Sequence, residues 1–312
     1  MGGGSEDAHD QDARPVIAAP SKTLSVLASL ALLALCSCGP PRSSRITIGA
    51  KNFTEQVILG ELLAQQIEAE GHEKVDRRFY LAGSYLCHQA LITGRIDAYV
   101  EYSGTALTAV LKQPLPQERT AATVFATISP LYASRFHVTV ARGLGFEDTF
   151  AMVVRGADAE RLHLTSIADA SVHPDLRLGV GYEFQSRPDG LPGLEKIYGL
   201  HFARPRVMDL GLLYRALASH QVDIVAGNST DGPIRALGFI VLADDKHYFP
   251  PYEAVPLVRE DSLRLHPEIA LALAHLAGHI TAGEMQTMND AVDGHHEDVA
   301  AVVRRFRTSK GL

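Results

Sequence analysis

The sequence predicts an α/β protein with two similar lobes, each built on a mostly parallel sheet flanked by helices. Segments with strand character alternate with segments with helix character after residue 45, which is typical of βαβ units. The chain has 312 residues, enough for two lobes of about 100–150 residues each. One succession of helix, turn and strand occurs twice, which predicts that the two lobes are built alike.

The first half of the chain predicts three strands and three helices. RITIG is a strand, and TEQVILGELLAQQIEAEG is a helix that Gly71 ends. Then VDRRFYL is a strand, YLCHQALITG a helix, RIDAYVEY a strand and GTALTAVLK the start of a helix. The first helix has one broad apolar face, formed by Ile58, Leu59, Leu62, Leu63 and Ile67.

The second half predicts further strands and a helical end. DTFAMVVRG, LRLGVGYEF and VDIVAGN have strand character, and LPGLEKIYGL and LLYRALASHQ have helix character. RALGFIVLADD leads into FPPYEAVPLVRE, an extended segment interrupted by prolines. Three helices follow, in PEIALALAHLAGHI, AGEMQTMNDAV and HEDVAAVVRRFRTSKGL.

The repeated unit predicts where a ligand binds. HQALITGRIDAYVEYSGT and YRALASHQVDIVAGNSTDG share a helix ending in Ala-Leu, a short turn, a strand with a central Asp, and a strand end rich in Ser and Thr. Ligands of open α/β sheets bind at the carboxyl ends of strands. Two facing lobes therefore bring residues 102–105 and 228–231 to one cleft.

The N-terminal segment 1–44 predicts export. Lys22 precedes the apolar run TLSVLASLALLALCSC, which has signal-peptide length. Its end resembles the cleavage box of bacterial lipoproteins, which implies that Cys38 is acylated; a plain cleaved secretory signal is the alternative. Either way the protein leaves the cytoplasm. An acylated Cys38 leaves Cys87 without a disulfide partner, and its apolar helical context predicts a small core residue.

Composition and motifs exclude several function classes. The net charge is −7 and no long basic cluster occurs, so no nucleic-acid partner is predicted. The sequence has no P-loop, HExxH motif or CxxC pair, GVGYEF lacks the third glycine of a dinucleotide turn, and GNSTD ends in Asp where a GxSxG elbow ends in Gly. His295 and His296 beside two acids favour a solvated loop over a metal site. We predict no cofactor and no metal.

Two basic residues leave alternatives open. Lys51, in KNFTEQ, is either a solvated turn lysine or part of an anion-binding corner at a helix start. Asn52 and Glu55 have the spacing of a capping box for that helix. Arg187, in EFQSRPDG, either grips a carboxylate with its guanidinium fork or pairs with Asp189 in a structural loop.

Six ordered motifs resemble one family. They are IGAKNFTEQVILGELLAQQIE, IDAYVEYSGTAL, YEFQSRPDGLPGLEKIYGL, YRALASHQVDIVAGNSTDGPI, LADDKHYFPPYEAVPLV and MNDAVD. Together, from about residue 45 to the C-terminus, they resemble the substrate-binding proteins of osmoprotectant ABC importers, which take up glycine betaine, carnitine and choline. The resemblance implies a type II periplasmic-binding-protein fold, with lobe 1 at 45–144 plus 246–312, lobe 2 at 145–245, and a cleft that closes on the ligand.

The resemblance also implies partners and site residues. The partners are a betaine-like small molecule, an ABC permease and its ATPase, and the membrane through the lipid anchor. Lys51, Thr105 and Arg187 align with positions that hold the ligand carboxylate. The positions that surround the quaternary ammonium are Tyr102, Tyr252, Asp148 (through its backbone carbonyl), Phe150 and Asn228. Rings recognise such a cation because it cannot donate strong hydrogen bonds.

The sequence departs from the family pattern at the positions that surround the quaternary ammonium. Phe150 stands where a tyrosine is frequent, and Asn228 stands where many members have a further tyrosine. The loss of a ring costs about 1 kcal/mol, while the amide suits a ligand with a polar group near its cation. Tyr85 either takes the place of the missing ring in the wall of the site or is a core tyrosine.

Three hypotheses about function follow. The first is a binding protein for glycine betaine, choline, carnitine or a related betaine such as ergothioneine. The second is a ligand-sensing exported lipoprotein of the same fold. The third is an exported enzyme that uses Asp148, Ser229 and Asp231, although no motif ties these residues together, and we therefore predict that the chain is not an enzyme.

Overall fold

The computed structural model describes residues 1–2, 45–71, 74–202 and 204–312. The predicted leader and tether, including Cys38, therefore lies outside the described residues except for its first two. Arg45–Leu312 is one compact unit that contains two five-stranded sheets. Among the described residues, no helix combines the length and the apolarity needed to cross a membrane.

Ten strands form the two sheets of the described chain. The first sheet has the strand order β2-β1-β3-β10-β4, and the second has the order β7-β6-β8-β5-β9. The strands are β1 (Thr47–Gly49), β2 (Asp76–Arg78), β3 (Ala98–Tyr102), β4 (Val138–Val140), β5 (Phe150–Arg155), β6 (Leu178–Val180), β7 (Arg206–Val207), β8 (Ile224–Asn228), β9 (Phe239–Val241) and β10 (Ala254–Arg259).

Helices connect and cover these strands. In the described chain they are α1 (Thr54–Gly71), α2 (Ser84–Ile92), α3 (Ser103–Thr105), α4 (Ala121–Phe136), α5 (Gly156–Leu162), α6 (Tyr182–Ser186), α7 (Leu191–Tyr198), α8 (Leu210–Ala218), α9 (Gly232–Ala236), α10 (Glu260–Leu265), α11 (Pro267–Leu276), α12 (Ala282–Asp293) and α13 (Val299–Lys310). A π-helical turn at Ala106–Val110 continues α3, and a 3₁₀ turn lies at Ala168–Val172.

Each sheet is mixed, with four strands in one direction and one against them. In the first sheet β1 pairs in parallel with β2 and β3, whereas β10 pairs antiparallel with β3 and β4. In the second sheet β6 pairs in parallel with β7 and β8, whereas β5 pairs antiparallel with β8 and β9. The reversed strand is in each case the first one that the chain forms after it crosses from the other sheet.

The predicted repeat is confirmed by the topology. Strands β3 and β8 each occupy the third position in their sheet, and each pairs with a parallel strand on one side and the reversed strand on the other. Each follows the helix that the repeat predicts, α2 or α8. The two lobes are therefore two copies of one architecture.

Two segments connect the lobes, at 141–149 and 242–253. They run side by side: Glu147 forms an isolated antiparallel bridge with Glu253, and Asp148 N donates to Tyr252 O at 3.1 Å. The predicted lobe boundaries, at 144/145 and 245/246, fall in these connections and stay a prediction. The paired connections place Asp148 and Tyr252 where the two lobes meet.

Apolar side chains cover both faces of both sheets. Two core clusters pack on the first sheet and two on the second, as expected for sheets with helices on both sides. The apolar face predicted for α1 is confirmed, since all five of its residues are at most 1% exposed. Cys87 is a fully buried core residue, and burial raises the pKa of its thiol to about 12.

One predicted element differs from the structure. LRLGVGYEF was expected to be a single strand, but β6 ends at Val180 and Tyr182–Ser186 forms the short helix α6. Gly181 is the N-cap of this helix. The chain therefore leaves the strand at Gly181, although the strand-like pattern of the sequence continues beyond it. The turn brings α6 to the carboxyl end of β6, on the side where the cavity lies.

Candidate ligand-binding site

A cavity of about 400 Å³ lies at the carboxyl ends of β3 and β8, between the two lobes. Tyr102 ends β3 and Asn228 ends β8, and both line it. All eight residues that the family resemblance assigns to the ligand line this cavity: Lys51, Tyr102, Thr105, Asp148, Phe150, Arg187, Asn228 and Tyr252. Side chains separated by as many as 201 positions in the sequence thus share one site.

Lys51 is buried, so its interpretation as a solvated turn residue is wrong. The side chain is 4% exposed, and its ammonium donates to the buried carboxylate of Glu101. Its Nζ lies 4.7 Å from the centroid of the Tyr102 ring. Glu101 also accepts hydrogen bonds from Tyr99 Oη at 3.2 Å and Tyr102 N at 2.8 Å. An ammonium buried without a charge partner costs a large free energy, and the Glu101 carboxylate supplies that partner.

Arg187 pairs with Asp189, which is one of the two roles that the sequence left open, and its grip on a ligand carboxylate stays a prediction. Its Nε and Nη2 donate to Asp189 at 2.9 and 2.5 Å, so the loop pair exists. Its Nη2 also donates to Thr105 Oγ1, on the other lobe, at 2.9 Å. The guanidinium is 4% exposed and lines the cavity. Arg187 is therefore held in a fixed orientation with one edge toward the cavity.

Asp189 organises the groups around Arg187. Its Oδ2 accepts from Tyr252 Oη at 2.7 Å and Thr108 Oγ1 at 2.8 Å, both contributed by the other side of the cleft. Burial alone raises the pKa of Asp189, but the hydrogen bonds and charge of Arg187 outweigh it and leave the pKa below its usual value. The carboxylate is thus ionised and fixes three donors that the sequence places far apart.

Aromatic rings form much of the cavity wall. The Phe150 ring lies 5.5 Å from Tyr252 and 4.8 Å from Phe184, both in edge-on geometry. Arg187 Cζ lies 4.9 Å from the centroid of the same ring. The Tyr102 ring stacks beside Phe53 with centroids 6.5 Å apart. Such rings present the negative faces that attract a quaternary ammonium.

Sequence reasoning missed three of the rings that line the cavity: Phe53, Tyr182 and Phe184. Phe53 lies two positions after Lys51, and the other two lie in GYEFQSR just before Arg187. An aromatic residue within a few positions of a predicted ligand-binding cation was the signal available. The sequence left open whether Tyr85 forms part of the wall of the site or belongs to the core. Tyr85 lines the cavity and is 45% exposed, so it is not a core residue.

Asn228 lies directly opposite Phe150 in the antiparallel pair of β8 and β5. Opposed residues of such a pair project from the same face of the sheet, so the amide lies beside the ring. The backbone N of Asn228 donates to Asp231 Oδ2 at 2.8 Å. The amide side chain lines the cavity as a polar group in a largely aromatic wall.

Three acids with raised pKa values meet beside the cavity: Glu55, Asp148 and Asp231. Burial is the main cause at each, and the neighbouring acids raise the pKa of Asp148 and Asp231 further. Asp148 accepts from Thr230 N at 3.2 Å, and Glu55 accepts from Thr230 Oγ1 at 2.5 Å. Burial raises the pKa of Asp231 to about 7.

The capping box predicted on Asn52 and Glu55 is wrong. Helix α1 begins at Thr54, so Asn52 is not its N-cap and Glu55 is not its third residue. The Glu55 carboxylate accepts from Tyr102 Oη at 2.6 Å, and from Asn289 Nδ2 at 3.0 Å in addition to Thr230. These partners lie 47, 234 and 175 positions away. A tertiary network replaces the local cap.

The charges of the site suit a ligand that is not simply an anion. Lys51 and Arg187 are the cations that line the cavity in the described chain, and each has a buried acid partner. Asp148 and Glu183 line the same cavity in addition. The cavity therefore offers hydrogen-bond donors and ring faces without an excess of positive charge, an arrangement that can hold a zwitterion or a cation.

The residues proposed for an enzyme are held in structural contacts. Ser229 Oγ accepts from Thr149 N at 3.1 Å and donates to Asp148 at 3.4 Å. Asp231 accepts from Tyr214 Oη at 2.7 Å. Asp148 lines the cavity, whereas Ser229 and Asp231 are not among its described lining residues. Ser229 and Asp231 are therefore not placed to act directly on a ligand in this cavity.

Residues 44–309 match the family described as the substrate-binding domain of the ABC-type glycine betaine transport system. The chain belongs to this family. Its members are solute-binding proteins of importers, and their fold consists of two α/β lobes. The match spans most of the chain and includes every residue of the cavity.

Two relatives and one solved structure show how close the similarity is. The carnitine transport binding protein OpuCC of Listeria monocytogenes serotype 1/2a (strain 10403S) is 32% identical over 290 residues, which are 90% of this chain and 94% of that protein. The ergothioneine transport permease/ergothioneine binding protein EgtU of Helicobacter pylori (strain G27) is 32% identical over 269 residues, 86% of this chain. The chain spans about half (48%) of that relative's length.

The solved structure described as a glycine betaine/carnitine/choline ABC transporter superposes with a TM-score of 0.69 at 34% identity. The alignment covers 85% of this chain and 98% of that one. The two-lobed fold and the order of its elements are therefore shared with a protein of the same family.

Proposed function

We propose that this protein is the extracytoplasmic binding component of an ABC importer and that it binds a betaine-like quaternary ammonium zwitterion. The observation that carries the proposal is the cavity itself, where aromatic rings, hydrogen-bond donors and compensated charges meet between two lobes. The ligand carboxylate takes the donors of Lys51, Thr105 and Arg187. The quaternary ammonium takes the rings of Tyr102, Phe150 and Tyr252.

The protein's own cations limit how the ligand lies. Lys51 and Arg187 are within 5 Å of the Tyr102 and Phe150 ring centroids. The ligand cation therefore takes the opposite faces of these rings, or the neighbouring rings of Phe53 and Phe184. Each desolvated cation–π contact contributes about 0.5–2 kcal/mol. Three or four such contacts, with a paired carboxylate, support a Kd in the micromolar range, about −8 kcal/mol.

The volume of the cavity widens the choice of ligand beyond glycine betaine. A cavity of about 400 Å³ falls within the range of about 300–1,000 Å³ that is usual for small-molecule sites. Glycine betaine has only about eight non-hydrogen atoms, so it leaves part of this space to water. Carnitine and ergothioneine, the ligands in the names of two relatives, are larger. The amide of Asn228 favours a ligand with a polar group near its cation.

We also propose the setting in which the protein works. The leader 1–44 directs export, Cys38 carries the lipid that anchors the protein to the outer face of the membrane, and a permease with its ATPase receives the ligand. Lobe 1 comprises 45–144 and 246–312, and lobe 2 comprises 145–245. The protein carries the ligand without altering it, as binder and not as enzyme.

The test is a ligand screen that isolates the positive charge. Calorimetry and thermal shifts are measured with glycine betaine, choline, carnitine, proline betaine and ergothioneine, and with 3,3-dimethyl-1-butanol as the neutral analogue of choline. At least one quaternary compound should stabilise the fold by about 3–4 kcal/mol at a hundred- to thousandfold excess over Kd. The neutral analogue should bind at least tenfold more weakly than choline if choline binds.

Two outcomes would contradict the proposal. A protein that binds none of the five quaternary compounds is not a betaine-binding component. Equal affinities for choline and its neutral analogue would show that the positive charge does not contribute to recognition. A ligand recovered in chemically altered form after incubation would instead favour the enzyme hypothesis.

A further inference from the structure

The mouth of the cavity is formed by exposed residues from both lobes. Tyr85 and Leu86, in the first turn of α2, are 45% and 59% exposed, and Tyr182 at the start of α6 is 68% exposed. All three line the cavity. Glu183 follows Tyr182, also lines the cavity, and has a side chain that is 30% exposed. The two helix starts therefore face each other across the opening.

Glu183 reaches across this opening to Gly83. If Gly83 carried a Cβ atom, that atom would lie 2.0 Å from Glu183 Oε1 and 2.4 Å from its carboxyl carbon. Both distances are far below any van der Waals contact, so a side chain at position 83 fits only if the Glu183 carboxylate moves away. The second oxygen of the same carboxylate lies 3.9 Å from Arg187 Nη1.

The backbone does not require glycine at this position. Gly83 has φ −89° and ψ −167°, an extended conformation that any residue adopts. It is the N-cap of α2, where Ser, Thr, Asp and Asn are better caps than glycine. The group that a side chain at position 83 would displace is therefore the Glu183 carboxylate. The carboxylate also lies at the amino end of α2, where the helix dipole favours a negative charge.

We propose that Glu183 is a gate residue, which closes the mouth of the cavity against Gly83 and so controls how tightly the ligand is retained. The inference rests on the proposed function of the cavity, since a gate needs a ligand to retain. Arg187 connects the proposed gate with the proposed ligand site. It is one of the proposed donors to the ligand carboxylate, and its Nη1 lies 3.9 Å from the Glu183 carboxylate. Closure of the lobes brings the Glu183 carboxylate over the bound ligand and onto the bare backbone of Gly83.

The first test separates closure from folding. Gly83→Ser adds a Cβ that displaces the Glu183 carboxylate from its position against the backbone, but it supplies a better cap for α2. We expect an unchanged or higher melting temperature without ligand and at least tenfold weaker binding of the best ligand from the screen. Gly283→Ser is the matched control, because no atom lies within 4 Å of a Cβ at Gly283, and it should bind like the unchanged protein.

The second variant restores space at the gate. In Gly83→Ser/Glu183→Ala the smaller side chain removes the collision, so affinity should return to within about threefold of that of Glu183→Ala alone. Wild-type affinity in Gly83→Ser would overturn the gate. So would a double variant that stays tenfold weaker than Glu183→Ala, because the serine would then act through something other than Glu183.

A cross-link tests the gate without any ligand. In Gly83→Cys/Glu183→Cys the Cβ atoms come within about 5 Å, close to the range of a disulfide. Mild oxidation should join the two cysteines, as read by loss of maleimide labelling, and oxidation after loading should trap the ligand until a reductant is added. If the unchanged protein binds no betaine, the proposed function fails, and the cross-link alone decides whether the two residues meet. No cross-link under oxidation would overturn the inference.

Discussion

Phe150 connects the aromatic wall of the cavity to its charged side. Its ring contacts Tyr252 and Phe184 edge-on, and the Arg187 guanidinium lies 4.9 Å from its centroid. A phenyl ring makes no hydrogen bonds, so a substitution here changes ring faces without leaving a polar partner unsatisfied. Tyr102 and Tyr252 lack this advantage, because their hydroxyls donate to Glu55 and Asp189.

Phe150→Leu should therefore weaken ligand binding through the lost ring face alone. Leucine keeps most of the apolar volume, so the cost in folding stability should stay below about 1.5 kcal/mol. Loss of one or two cation–π contacts of about 1 kcal/mol each should weaken binding about five- to thirtyfold. Calorimetric titration of the variant with the best quaternary ligand measures this change.

A phenylalanine outside the cavity gives the control. Phe239 in β9 stacks on Tyr214 with ring centroids 6.0 Å apart and does not line the cavity. Phe239→Leu should lose a similar amount of stability and keep full affinity. If Phe150→Leu binds as tightly as Phe239→Leu, the ring of Phe150 is not part of the cation site.

At the scale of elements, the start of α9 carries a titrating acid. Asp231 is its N-cap, and its carboxyl accepts from Tyr214 Oη and Asn228 N. Burial, followed by the charges of Glu55 and Asp293, raises the pKa of Asp231 to about 7 in spite of these hydrogen bonds. A folded-state pKa above the unfolded value of 3.8 means that the folded protein holds this proton more tightly.

The stabilising contribution of Asp231 is thus fully present below about pH 4 and is lost as the pH rises to about 7. Asp231→Asn resembles the protonated acid at every pH. The melting temperature of the variant, relative to that of the unchanged protein, should rise steadily between pH 4 and pH 7 and level off above it. Thermal unfolding across this range measures the difference.

Asp169 provides an acid of the opposite kind. Hydrogen bonds from the backbone of Thr165 and Ser166 lower the pKa of Asp169 to about 2. It stays ionised in both states over most of the range from pH 4 to pH 7, so Asp169→Asn should change the melting temperature by a nearly constant amount. A flat profile for Asp231→Asn as well would show that Asp231 does not titrate in this range.

Most elements follow from local patterns in the sequence, and the exceptions have tertiary causes. The apolar spacing on α1 and the repeated helix-turn-strand unit predicted both lobes. The strand predicted through Glu183 failed because a turn at Gly181 starts α6. The cap predicted at Glu55 failed because Thr230 and Asn289 reach it from distant parts of the chain. Local patterns do not encode such contacts.

Eight residues that line the cavity were predictable through the family resemblance, whereas the rings of Phe53, Tyr182 and Phe184 and the electrostatics of the site were not. Lys51 reads as a turn residue until Glu101, fifty positions away, is known to neutralise it inside the protein. The orientation of Arg187 depends in the same way on Thr105, which lies on the other lobe. Distant partners decide the charge of a buried group, and sequence spacing does not reveal them.

For the molecule as a whole, a second set of contacts joins the lobes beside the cavity. Thr230, after β8 of the second lobe, donates from Oγ1 to Glu55 Oε2 on α1 of the first at 2.5 Å. Asn289 Nδ2, on α12, donates to Thr230 O at 2.8 Å, and Gln286 Nε2 donates to Ser229 O at 3.0 Å. None of these residues lines the cavity, so they join the two lobes without touching a ligand there.

Thr230→Val should therefore weaken every ligand by the same factor. Valine keeps the shape of threonine and removes the donor to Glu55, and a buried acceptor that loses its partner costs about 1–3 kcal/mol. We expect this contact to form only when the lobes are closed, so all affinities should fall about fivefold or more in common. Titrating wild type and variant with the two best quaternary ligands measures both ratios, with Thr287→Val as the exposed control on α12. Ratios that differ between the ligands would place Thr230 in ligand recognition, and unchanged affinities would mean that this contact does not hold the lobes together.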